Sequence, residues 1–172
     1  HAACAMFHLS TTAANKANIS KVGGIPLLVD LLGRGKSDAQ RYAAGALWQL
    51  CQSVDNKMSI VGAGGIEALV GILHTSEAGG VTPPTRTSSS PSSSLTARRS
   101  AKLVVSDGVV ATPLMMAKEA AAAVLAELAR SQSSYRMAIV NAKGIAPLLE
   151  LLRSDVPGAQ KQAACAIFSL IL

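Results

Sequence analysis

The chain has 172 residues, 49% of them hydrophobic, yet its aromatics are one Trp, two Tyr and two Phe, so Ala, Leu, Ile and Val carry the hydrophobicity. That composition suits closely packed helices, where Ala lets axes approach, and argues against a β-sandwich. Of the formal charge of +6, a net +3 comes from residues 80–116, where Arg86, Arg98, Arg99 and Lys102 face Asp107; the scattered +3 left over excludes a nucleic-acid surface.

No run approaches the roughly 18 uncharged apolar residues of a membrane span. The odd set Cys4, Cys51 and Cys165 lies in apolar surroundings. It reads as small buried thiols of a reducing compartment, which places the protein in the cytoplasm or nucleus. His1 and Leu172 fall inside an apolar helical pattern, so the chain reads as a piece of something longer.

Taken in order, the elements repeat. "AACAMFHLS" opens the chain at residues 2–10 and returns as "AAGALWQLC" (43–51), "AAAVLAELA" (121–129) and "AACAIFSL" (163–170). Between these lie "NKANISKVGGIPLLVDLL" (15–32), "NKMSIVGAGGIEALVGIL" (56–73) and "YRMAIVNAKGIAPLLELL" (135–152). The anchoring leucines Leu9, Leu50, Leu128 and Leu170 are spaced by 41, 78 and 42. Removing residues 80–116, which number 37, turns 78 into 41 and restores the seven-residue link from Leu73 to Ala117 found in the sister repeats. One deletion repairs both measurements, so the tract is an insertion at a single loop.

Each repeat predicts three helices. Gly24, Gly65 and Gly144 are expected to break the chain between a short first helix and the second. Pro26 and Pro147 fall in the first turn of the second helix, where a missing N–H is tolerated. Ile25, Leu28 and Leu32 form its apolar stripe. Ser37-Asp38 and Ser154-Asp155 supply cap-type residues before the third helix. There Ala44, Leu47 and Leu50/Cys51 form the buried stripe. No helix pair buries its stripe alone, but stacked copies do. The insert is Ser/Pro-rich to about residue 100 and is expected to be disordered throughout 80–116. "LVVSDGVVA" (103–111) has the β-branched content for a brief hairpin around Asp107-Gly108, but a loose segment is the favoured reading. The tract reads as a tolerated surface loop, a regulatory loop or a translated intron.

Two blocks of about 41 residues, carrying "GGIPLLVDLL" and "AAGALWQL", closely resemble the armadillo repeat. The resemblance covers residues 1–79 and 117–172. It implies an all-α, right-handed α-solenoid, a single array with a lone third helix at 1–10 and repeats at 11–51, 52–129 (interrupted at 80–116) and 130–172. It also implies that the third helices line a concave groove for an extended peptide or partner protein. Where import-receptor and catenin-like members place a clamping Asn, this chain has His8, Gln49, Glu127 and Ser169. Where import receptors place Trp, it has Cys4, Gly45, Ala123 and Cys165. That departure argues against a nuclear transport adaptor.

The expected function is therefore a non-catalytic scaffold or adaptor with a protein or extended-peptide partner. The alternatives are a regulatory or substrate-recruiting region of a larger enzyme, such as an armadillo-bearing ubiquitin ligase, and the transport adaptor. Groove candidates are Arg41, Gln49, Glu119, Glu127, Lys161 and Ser169, at i, i+4 and i+8 on the third helices, together with His8. Trp48, with Phe7 and Phe168 at matching positions, is expected to pack between neighbouring repeats beside Leu47. Cys4 and His8 stand at i, i+4, but no further Cys or His lies at a metal-ligand spacing, and no cofactor, catalytic or phosphate-binding motif is found.

Overall fold

A computed structural model describes residues 2–75, 104–106 and 109–172. Helix α1 (Ala2–Leu9) is followed by three triplets. The first is α2 (Ala13–Lys21), α3 (Gly24–Arg34) and α4 (Ser37–Leu50). The second is α5 (Val54–Gly62), α6 (Gly65–His74) and, after strands β1 (Val104–Ser106) and β2 (Val109–Ala111), α7 (Pro113–Ser131). The third is α8 (Ser133–Asn141), α9 (Ile145–Leu151) and α10 (Pro157–Ile171).

The third helices α1, α4, α7 and α10 pack side by side in one row, and α3, α6 and α9 form a second row beneath them. Each third helix also lies on the second helix of its own triplet. The core sits between the rows. Ile25, Leu28, Leu32, Leu47 and Leu50 are fully buried, as are Ile66, Leu69, Leu125 and Leu128 from the next triplet. Ala43, Ala117, Ala121 and Ala122 are buried to the same degree, and their small side chains set the close spacing of the third helices. The equivalent Leu9 is 53% exposed, because α1 has a neighbouring row member on one side only. The result is an all-α solenoid.

The glycines work differently from the expectation. The positive backbone angles belong to the residues just before them, Gly23 (φ 76°), Gly64 (φ 75°) and Lys143 (φ 60°). Gly24, Gly65 and Gly144 are needed for space. A Cβ on Gly65 would lie 2.5 Å from Ile60 Cγ2 and 2.6 Å from the Ile60 carbonyl oxygen. Gly24 meets Ile19 and Gly144 meets Ile139 in the same way. The repeated Ile-to-Gly spacing is thus a contact between the first helix and the start of the second.

The expected caps are also corrected. Neither Ser37 nor Ser154 caps a third helix; Lys36 and Val156 hold the N-cap positions without side-chain bonds. Instead Gln40 Nε2 donates to the Leu32 carbonyl at 2.8 Å, and its counterpart Gln160 donates to the Ser154 carbonyl at 2.7 Å. These bonds tie the third helix back to the end of the second, and Gln40 is buried.

The insert is shorter than 80–116 at its far end. Thr112 Oγ1 accepts from the Met115 N–H at 3.2 Å, Pro113 begins α7, and Leu114 is buried. β1 and β2 pair antiparallel with Ser106 opposite Val109, so the hairpin forms where a loose segment was favoured. Its strands are built largely of valine, whose branched side chain favours extended backbone. The expectation for 80–103 lies outside the described residues.

Candidate partner-binding groove

The exposed face of the third-helix row carries a cleft of about 230 Å³. Its lining comes from all four row members: Phe7 of α1, Arg41, Tyr42, Gly45 and Trp48 of α4, Met116, Glu119, Ala120 and Ala123 of α7, and Gln162 of α10. A helix turns about 100° per residue, so 41, 45 and 48 share a side that faces away from the buried 43, 47 and 50. The same register places Glu119 and Ala123 on α7.

Trp48 corrects the sequence reading. It is 40% exposed and lines the cleft, rather than packing between repeats. Phe168, at the matching position of α10, is 64% exposed. Adjacency to Leu47 misled, because the next residue on a helix points about 100° away. The signal that finds it is the spacing: Trp48 stands seven residues after Arg41 and three after Gly45.

The cleft is shaped by what is missing. Gly45 has no side chain, and the Phe7 ring occupies that space; a Cβ there would lie 2.8 Å from Phe7 Cε2. The Phe7 and Tyr42 rings stand 6.1 Å apart at a tilt of 52°, within the range of a favourable aromatic pair. Arg41 places its guanidinium carbon 4.1 Å from the Tyr42 ring centroid, a cation–π contact. Its Nε is buried and has no hydrogen-bond acceptor among the described residues. Across the cleft, burial raises the Glu119 carboxyl above its ordinary pKa. Its oxygens sit against the first turn of α10, where a Gly158 Cβ would lie 2.5 Å from Oε1.

The remaining candidates divide. Arg41 and Glu119 line the cleft; His8, Gln49 and Lys161 lie outside it, His8 and Lys161 exposed and Gln49 half-buried. Ser169 is buried, and its hydroxyl donates to the Cys165 carbonyl at 2.7 Å, so its bond is spent within its own helix. Glu127 is also committed. Its Oε1 accepts from Lys57 Nζ at 2.8 Å, Oε2 pairs with Arg130, and Lys57 donates again to Ser131 Oγ at 2.7 Å. Burial pushes the Glu127 carboxyl up, but the bonds and charges of Lys57 and Arg130 outweigh it and hold the pKa below its ordinary value. This network fastens α5 to α7 and leaves Glu127 little freedom to hold a partner.

Among the described residues no three His, Cys, Asp or Glu side chains are grouped to hold a metal ion. No single described helix is long and apolar enough to cross a membrane.

Stacked three-helix units with an open cleft on the third-helix face define a helical-repeat solenoid. The armadillo/beta-catenin-like repeat family matches residues 12–52 and 132–171, the two uninterrupted repeats. At these residues the chain carries armadillo repeats. No curated protein matches it. Among solved structures it is similar to an engineered protein at a TM-score of 0.71 and 26% identity, covering 98% of this chain and 33% of that one. It is similar also to computationally designed armadillo repeat proteins for modular peptide recognition, at a TM-score of 0.70 and 16% identity, covering 98% of this chain and 56% of that one. A designed armadillo repeat protein in complex with the peptide (KR)4 has a TM-score of 0.68 and 16% identity, with coverages of 98% and 56%. The chain thus spans from a third to just over half the length of these structures.

Proposed function

We propose that this chain is a binding scaffold whose third-helix face holds an extended segment of a partner protein. The observation that carries the reading is the open cleft between Phe7, Trp48 and Ala123, which leaves aromatic and apolar surface exposed at the middle of the row. Exposed apolar surface in a concave setting is where binding free energy concentrates. The designed armadillo structures made for peptide recognition support the assignment by fold. The groove departs from the plan of an import receptor: Gly45 and Ala123 stand where that class has Trp. Of the three cysteines expected to be buried only Cys51 is, with Cys4 half-buried and Cys165 exposed; the cytoplasm or nucleus is the proposed location, on the odd number of cysteines.

The test is affinity capture from cell extract, comparing the chain with a Trp48→Ala/Arg41→Ala variant. Both side chains are partly exposed, so the variant is expected to fold normally. A partner kept by the native chain and lost by the variant supports the reading. Equal capture by both assigns binding to another face and refutes it.

A further inference from the structure

We propose that the cleft selects a partner segment in which a bulky apolar side chain stands next to an acidic one. The proposal deepens the binding reading above and rests on it.

The apolar requirement comes from shape. The cleft, with a volume of about 230 Å³, has room for several waters. Ala123 faces it with a side chain too short to fill it, while Phe7, which covers Gly45, walls it together with Trp48 and Met116. Waters against such walls find few polar partners, so a bulky apolar group that displaces them gains affinity.

The acidic requirement comes from an inventory of charges. Two charged side chains line the cleft, Arg41 and Glu119. Glu119 leans on the start of α10, and no ion pair joins it to Arg41 among the described residues. The other carboxylate on the inner side of α7, Glu127, is held by Lys57 and Arg130. Arg41 is therefore left with a guanidinium stacked on the Tyr42 ring and with no carboxylate partner among the described residues. A planar guanidinium oriented in this way suits an incoming carboxylate, which it can bind with two parallel bonds. Lys161, exposed at the matching position of α10, adds positive charge further along the row. A basic segment meets repulsion at both positions.

The experiment reads Trp48 directly, because it is the only Trp in the chain. Ten-residue Gly/Ser peptides carrying a central Phe-Glu, Phe-Lys or Ala-Glu pair are titrated into the full chain while Trp emission is followed. The Phe-Glu peptide should shift the emission saturably and bind roughly tenfold or more tightly than either other peptide, the worth of one charge-assisted bond or one buried side chain. Arg41→Glu should reverse the order of Phe-Glu and Phe-Lys, and Ala123→Leu, which fills the cleft, should abolish both. Equal or tighter binding of Phe-Lys overturns the inference and leaves the scaffold reading standing. So does silence from every peptide if the captured partner is still lost with Trp48→Ala/Arg41→Ala. Silence together with unchanged capture overturns both.

Discussion

Two glycines of α6 should respond to the same substitution with opposite sign. At Gly65 an added methyl falls 2.5 Å from Ile60 Cγ2 and 2.6 Å from the Ile60 carbonyl oxygen, where ordinary contact begins at 3.4 Å. Ile60 is fully buried, and a carbonyl in the last turn of α5 moves only with its helix. Overpacking of this kind costs about 1–3 kcal/mol. The Gly→Ala change in a helix returns about 0.5–1 kcal/mol by restricting the unfolded chain. Gly65→Ala should therefore destabilise by about 1–2 kcal/mol. At Gly71 nothing lies within 4 Å of the added methyl, so only the favourable contribution remains, and Gly71→Ala should stabilise by about 0.5–1 kcal/mol. At about 2–4 °C per kcal/mol for a chain of this size, the two melts should move apart by several degrees when followed by helical circular dichroism. Gly144→Ala should be milder than Gly65→Ala, since its nearest atom is 2.9 Å away. A Gly65→Ala variant melting at or above the native chain would refute the claim that these glycines exist for close approach.

Four further outcomes are expected. Glu127 has a lowered pKa, so its pair with Lys57 contributes above its ordinary value of 4.5 and fades as pH falls through the lowered one. Glu127→Gln should cost about 1–3 kcal/mol at pH 7, with the difference shrinking in acid. Glu119, raised by burial, has the opposite sign: Glu119→Gln should be neutral or stabilising at pH 7, and a urea titration across pH in which both variants behave alike would contradict the two environments. Burial pushes the Cys51 thiol up to about 12, so iodoacetamide at pH 8 should label exposed Cys165 and half-buried Cys4 but spare Cys51, as peptide mass spectrometry will show. Deleting residues 80–111 keeps Thr112 and Pro113 at the start of α7 and should leave the helical signal and melt intact, because loop closure depends only weakly on length. A deletion variant that unfolds would mean that the segment supplies part of the core.

The repeat itself was legible in the chain. Ala-Ala pairs, leucines about 41 residues apart and the Ile-to-Gly spacing determined the helices, the buried stripes and the place of the insertion. Those features recur because each unit meets the same neighbours, so one pattern serves every copy. The outward face of the third helices was also legible, and the structure places Arg41 and Glu119 from it in the lining of the cleft. Tertiary structure alone decided the rest. Whether Glu127 is a free groove carboxylate depends on Lys57, which lies 70 residues away in the chain and meets it only in the fold. Whether Trp48 is core or surface depends on how α4 is rotated against α1 and α7, and a helix pattern defines its buried stripe more sharply than the edges of its exposed one. One wall of the cleft is Phe7, which leans across from another helix because Gly45 is small, a pairing that no local spacing encodes. Local propensity and periodicity are properties of the chain, whereas a groove is a relation between helices, and that relation is set by packing.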